Sequence, residues 1–172
     1  MEATIKIFSM RASRWNNYLL PRLLVVPLFV IVCYLFSWEL LRMIEMKTVL
    51  YASSWIGLNA EASSAYAFAW KEQSYQFYIS CTMIDVFFAS IPLLWKQGSS
   101  LLRNGMILAT FFAGIYLLNT ARILAGFLFF DWGMPWYFAH KVIGGVAYFV
   151  VLVWLIRQGG FLEPASSHKQ VS

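Results

Sequence analysis

Four apolar runs, residues 23–41, 79–95, 104–130 and 139–156, constrain this chain more than any other feature. A run of about 20 apolar residues has the length of a bilayer crossing. Inside hydrocarbon every backbone N–H and C=O must be bonded within the chain, so the runs read as helices. The composition agrees: 60% of the residues are hydrophobic and 12% are charged, against about 25% charged in a soluble domain. The expected fold is an all-α integral membrane protein, a single domain over 1–172 with about four transmembrane helices.

The charges give the expected topology. Segments 1–22, 96–103 and 157–172 hold Lys6, Arg11, Arg14, Arg22, Lys96, Arg103, Arg157 and Lys169 against Glu2 and Glu163. Positive flanks stay inside, so both termini are expected in the cytoplasm of a plasma (inner) membrane protein, with 42–78 and 131–138 outside. The first run ends in Leu35-Phe-Ser-Trp38, without the small residues of a cleavage site, and reads as an uncleaved anchor. Segment 157–172 reads as a polar, mobile tail. The net charge of +5 forms no basic patch interleaved with aromatics, so nucleic acid is not an expected partner. Cys33 falls mid-run and reads as an apolar filler, at a depth that disfavours a bridge to Cys81.

Segment 42–78 mixes Glu45, Lys47, Glu61, Lys71 and Glu72 with Trp55, Tyr66, Phe68, Trp70 and Tyr75, too polar to span. Its Ala- and Ser-rich middle, 59–69, is expected as a helix lying in the outer interface. A shallow re-entrant hairpin is the alternative.

Three reactive residues sit at the ends of successive runs. Cys81 opens the second, Arg122 lies late in the third and His140 opens the fourth. Consecutive spans alternate in direction, so all three belong to the outer face. Arg122 lies 18 residues beyond Asn104, about 27 Å along a helix. Tyr116, Asn119 and Arg122 recur every three residues as one polar stripe, which the cost of a lipid-facing charge turns toward the bundle. Asp85, four residues after Cys81, is expected one turn deeper on the same face and paired with Arg122. Gly144 and Gly145 allow a close helix approach, for packing or for the site.

Each of the three has an ordinary role: a buried inert thiol, a snorkelling arginine, an interfacial histidine. Together they suit nucleophilic acyl transfer, with the Cys81 thiolate attacking a carbonyl and His140 carrying the proton. Arg122 would stabilise the thiolate or the developing oxyanion.

Cys81, Asn119-Thr-Ala-Arg122 and His140 with Gly144 four residues on resemble the exosortase and archaeosortase family. The resemblance covers roughly 80–154. It implies a membrane thiol protease or transpeptidase that cleaves a carboxy-terminal sorting signal on exported proteins and transfers the new end to an acceptor. On it Cys81 matches the family nucleophile, Arg122 the arginine, His140 the histidine and Asn119 the asparagine before the arginine. Family members commonly follow the cysteine with Ser or Thr and then Gly; here Thr82 is followed by Met83. A glycine there permits a sharp helix start.

Expected partners are therefore exported proteins bearing the signal, an acceptor and the lipid bilayer. Trp132, Trp136 and Tyr137 could touch an apolar substrate, although an aromatic belt also accounts for them. The main rival is a non-catalytic assembly or partner subunit, for which Cys81 is dispensable. No metal or other cofactor is expected: His140 is the one histidine in a span, and axial haem ligation commonly needs a pair. No run carries a polar face through the whole membrane, which disfavours a channel.

Overall fold

The computed structural model describes residues 20–71 and 73–158, with side chains as far as Leu155. The flank 1–19 and the greater part of the expected tail, with His168, lie outside the described residues. Helix α1 covers Leu20–Tyr34 and α2 Glu39–Trp55, with an 85° bend between them. The expected span 23–41 is thus broken at its end. Trp38 takes the left-handed conformation, φ 51°, and its indole N–H donates to the Cys33 carbonyl at 2.7 Å. That bond satisfies one carbonyl released where α1 stops.

The expected interfacial helix over 59–69 is corrected to an antiparallel sheet of β1 Glu61–Ala62, β2 Ala67–Trp70 and β3 Gln73–Gln76, in the order β1-β2-β3. The physical reason is a period of two. Phe68, Trp70 and Phe77 are buried, Tyr75 is half-buried, and Ala69, Ser74 and Gln76 between them are exposed. Alternation of this kind fits a pleated strand and not a helix.

After the sheet, a 3₁₀ turn at Ile79–Cys81 leads into α3, Ile84–Leu94. The residue between them, Met83, is left-handed at φ 51° with a fully buried side chain. Eleven residues rise about 17 Å, roughly half the hydrocarbon thickness, so the run 79–95 is a turn plus a short apolar helix. Helices α4 Leu101–Asp131 and α5 Trp136–Gln158 complete the chain. Among the described residues two helices, α4 and α5, are long and apolar enough to cross a membrane, and the bent α1–α2 pair makes a third candidate if it counts as one span.

Helix α1 packs along α3, and α4 packs against α2, α3 and α5. Two apolar cores result. One joins Met83 to Phe111, Ile115, Val151 and Leu155 between the helices. The other joins Met46 and Val49 of α2 to Phe68, Trp70, Phe77 and Phe127, fixing the sheet against α2 and α4. The exposed faces of α1 and α5 carry Leu24, Leu28, Ile31, Val146 and Phe149, the chemistry a lipid contact needs.

Candidate functional site

The site is assembled by two polar stripes that face each other. On α4 the stripe is Tyr116, Asn119 and Arg122; on α2 it is Arg42, Glu45 and Thr48, also every three residues. Thr48 and Tyr116 share a hydroxyl hydrogen bond of 2.5 Å. One turn on, the Asn119 amide donates to the Glu45 carboxylate, with both side chains fully buried. At the stripe's end Arg42 donates twice to the Phe77 carbonyl, at 2.9 and 2.7 Å, and lies 4.4 Å from the centre of the Tyr66 ring. Contacts that ascend on α2 as they descend on α4 define an antiparallel pair.

Asn119 and Arg122 reach Cys81 through its main chain. The Cys81 carbonyl accepts from Asn119 Nδ2 at 2.5 Å and from Arg122 Nη2 at 3.3 Å. Thr82 holds the same turn from within. Its hydroxyl donates to the Ile79 carbonyl at 2.7 Å and accepts from the Ile84 N–H at 3.3 Å. The nucleophile candidate is therefore in a turn that two side chains of a neighbouring helix clamp.

Cys81, Arg122 and His140 line one cavity of about 540 Å³. Its other walls come from Ala67 and Phe68 of β2, from β3 and the chain after it, from Ile123, Gly126 and Phe127 of α4, and from Trp136. His140 stacks on Trp136, with ring centres 5.4 Å apart and planes 16° from parallel. Trp136 is in turn packed on Tyr75, Phe127 and Phe130. Gly144 lies beside the guanidinium, where an added Cβ would stand 3.6 Å from Arg122 Nη1.

Burial pushes the Cys81 thiol above its ordinary value of 9.0. A backbone hydrogen bond from Tyr78 and the Arg122 charge work against that rise, and Glu45 adds to it. The thiol at rest is protonated near neutral pH, so any nucleophilic use requires a base at the moment of attack.

The expected pairing of Asp85 with Arg122 is not formed. Asp85 accepts instead from the Tyr34 hydroxyl at 3.3 Å and from the Val86 N–H at 2.9 Å. Left-handed Met83 separates the Cys81 turn from α3, so Cys81 and Asp85 do not lie on one continuous helix. Of the three aromatic candidates Trp136 lines the cavity, whereas Trp132 and Tyr137 are exposed, at 73% and 66%, and do not. The nearby ion pair is Lys71–Asp131, 2.5 Å, which ties the β2–β3 turn to the end of α4.

Sequence reasoning missed Glu45, Arg42 and the β3 wall. The signal for the first two was present, because a polar residue every third position repeats the stripe seen on α4. No protein-family model matches this chain, and neither a curated protein nor a solved structure is significantly similar to it.

Proposed function

We propose that the cavity is the active site of a membrane-embedded thiol peptidase of exosortase type. It would cleave a carboxy-terminal sorting signal of exported proteins at the outer face of the plasma membrane and pass the product to an acceptor. The observation that carries this reading is the convergence of Cys81, Arg122 and His140, from a turn and two helices, on one cavity. The outward placement draws on the charge pattern and on helix length. Lys96 and Arg103 flank the opposite end of α4, and Arg103 is 19 residues from Arg122, about 28 Å along the axis.

The chemistry runs as follows. A base within the cavity, His140, takes the Cys81 proton as the sulfur attacks the scissile carbonyl. Sulfur–carbon bond formation puts negative charge on the carbonyl oxygen. Arg122 is 8% exposed and lines the cavity, which puts a permanently charged guanidinium in the wall for that oxygen. Collapse breaks the C–N bond, and the departing amine receives the proton from His140. The thioester is then opened by water or by the acceptor's nucleophile, which returns a proton through His140 and restores the thiol.

The rival reading, a non-catalytic partner subunit, draws on a specific contact. Arg122 and Asn119 both bind the Cys81 carbonyl, as structural clamps would. The two readings separate on His140, which makes no side-chain hydrogen bond or ion pair to protein among the described residues. On the enzymatic reading His140→Gln lowers the rate of exported-protein processing by about 10²- to 10⁴-fold at unchanged protein level. An unchanged rate in that variant contradicts the proposal.

A further inference from the structure

We infer that the free edge of β3 takes an extended stretch of the substrate polypeptide as an added strand and leads it past Cys81. The inference rests on the thiol reading above and specifies how that site recognises its substrate.

Hydrogen-bond parity points to it. Phe77 N–H donates to the Tyr66 carbonyl, so 66 and 77 are a hydrogen-bonded pair. The register then makes Phe68–Tyr75 and Trp70–Gln73 hydrogen-bonded pairs and Ala67–Gln76 and Ala69–Ser74 the alternate kind. On the other side of β2, Ser63 N–H donates to the Ala67 carbonyl, which fixes the same parity independently. The backbone N–H and C=O of Ser74 and Gln76 therefore point away from β2. They face the open edge of the sheet, and among the described residues no other backbone group bonds them.

Those same two residues line the cavity that holds Cys81, and both are exposed. The chain continues through extended Tyr78, φ −85° and ψ 167°, into the Cys81 turn. A strand laid on this edge sits about 4.8 Å from β3, alongside two residues of the cavity wall.

A polypeptide suits the edge better than the alternatives. A lipid chain would leave the donors and acceptors of Ser74 and Gln76 unsatisfied. A second copy's β3 offers only four residues, which is marginal as a strand pair, and its sheet would have to enter a concave space. Main-chain bonds along an edge give affinity with little demand on side chains.

The test uses the full chain in detergent and acetyl-Ala-Val-Ala chloromethyl ketone, an extended peptide with a thiol-reactive end. It is compared with two isomers N-methylated at adjacent residues, and alkylation of Cys81 is followed by peptide mass spectrometry. Strand addition predicts alternation. The isomer whose lost N–H faced β3 reacts about tenfold more slowly, the other within about twofold of the parent. Gln76→Pro removes an edge N–H without touching the ladder and is expected to slow the parent peptide by a similar factor. Iodoacetamide, which needs no backbone recognition, reports the thiol separately. If iodoacetamide modifies Cys81 while both isomers match the parent, strand addition is wrong and the thiol reading stands. Rates insensitive to N-methylation but set by detergent chain length would place a lipid there. Slowing with rising protein per micelle would place a second copy there, and either result overturns the proposal. If iodoacetamide leaves Cys81 unmodified, both fall together.

Discussion

Glu45 and Asn119, 74 residues apart in sequence, meet side chain to side chain in the contact between α2 and α4, with no exposed surface on either. The same Asn119 amide nitrogen also donates to the Cys81 carbonyl, so the buried carboxylate acts on the cysteine turn through one intermediary. A buried polar pair is expensive to break, because the remaining partner keeps its desolvation cost and loses its bond.

Glu45→Ala and Asn119→Ala are each expected to destabilise the chain by about 1–3 kcal/mol. In thermal unfolding in detergent, the double variant should lose markedly less than the two single losses together. Additive losses would show that the two side chains do not depend on each other.

The thiol offers a pH test. Iodoacetamide reacts with the thiolate, so its rate against pH follows Cys81 ionisation. Since burial raises the Cys81 value, the inflection should lie above 9.0. Arg122 lowers that value and Glu45 raises it; Arg122→Gln should therefore shift the inflection upward and Glu45→Gln downward. An inflection below 9.0 in the parent chain would mean that charge stabilisation outweighs burial.

Met83 occupies the place where members of the resembled family commonly have glycine, and it adopts the left-handed conformation that glycine favours. Two terms compete in Met83→Gly. Relief of the backbone contributes about 1–2 kcal/mol. Loss of a fully buried methionine from the core with Phe111 and Val151 costs about 2–5 kcal/mol. The two ranges differ by about 0–4 kcal/mol, so the variant should be less stable, by about 2 kcal/mol at mid-range. A more stable variant would show that the backbone term dominates.

Two helical glycines differ in what surrounds them. At Gly144 an added Cβ meets Arg122 Nη1 at 3.6 Å, ordinary contact; at Gly114 it meets the Trp154 ring at 3.1 and 3.2 Å. Gly144→Ala should keep processing within about twofold of the parent. Gly114→Ala should lower the unfolding temperature, at a cost of about 1 kcal/mol or more. Equal effects on stability would contradict this packing.

Much of the arrangement was legible in the chain because charge in an apolar run is hard to place. The stripe Tyr116, Asn119, Arg122 had to turn inward, and alternating run directions brought Cys81, Arg122 and His140 to one end. That they lie near one another was readable from those two constraints; the cavity itself was not. What was hidden depended on backbone conformation. Apolar length alone does not reveal that Trp38 and Met83 are left-handed, and those two residues shortened the first and second runs and cost Asp85 its expected partner. The alanines and serines of 59–69 drew attention from a period of two that Phe68, Trp70, Tyr75 and Phe77 carry over 68–77. Buried Glu45 looked like part of a polar outer segment because its partner lies on another helix.

Replacement of Cys81 tests its role as nucleophile most directly. Exported proteins with a carboxy-terminal Pro-rich motif, apolar helix and basic tail are compared by electrophoretic mobility in cells carrying the parent chain or Cys81→Ala. The account predicts longer, membrane-retained precursors in the variant. Unchanged mobility of every such protein, with the parent chain present and folded, would contradict it and leave the trio a structural feature of a partner subunit.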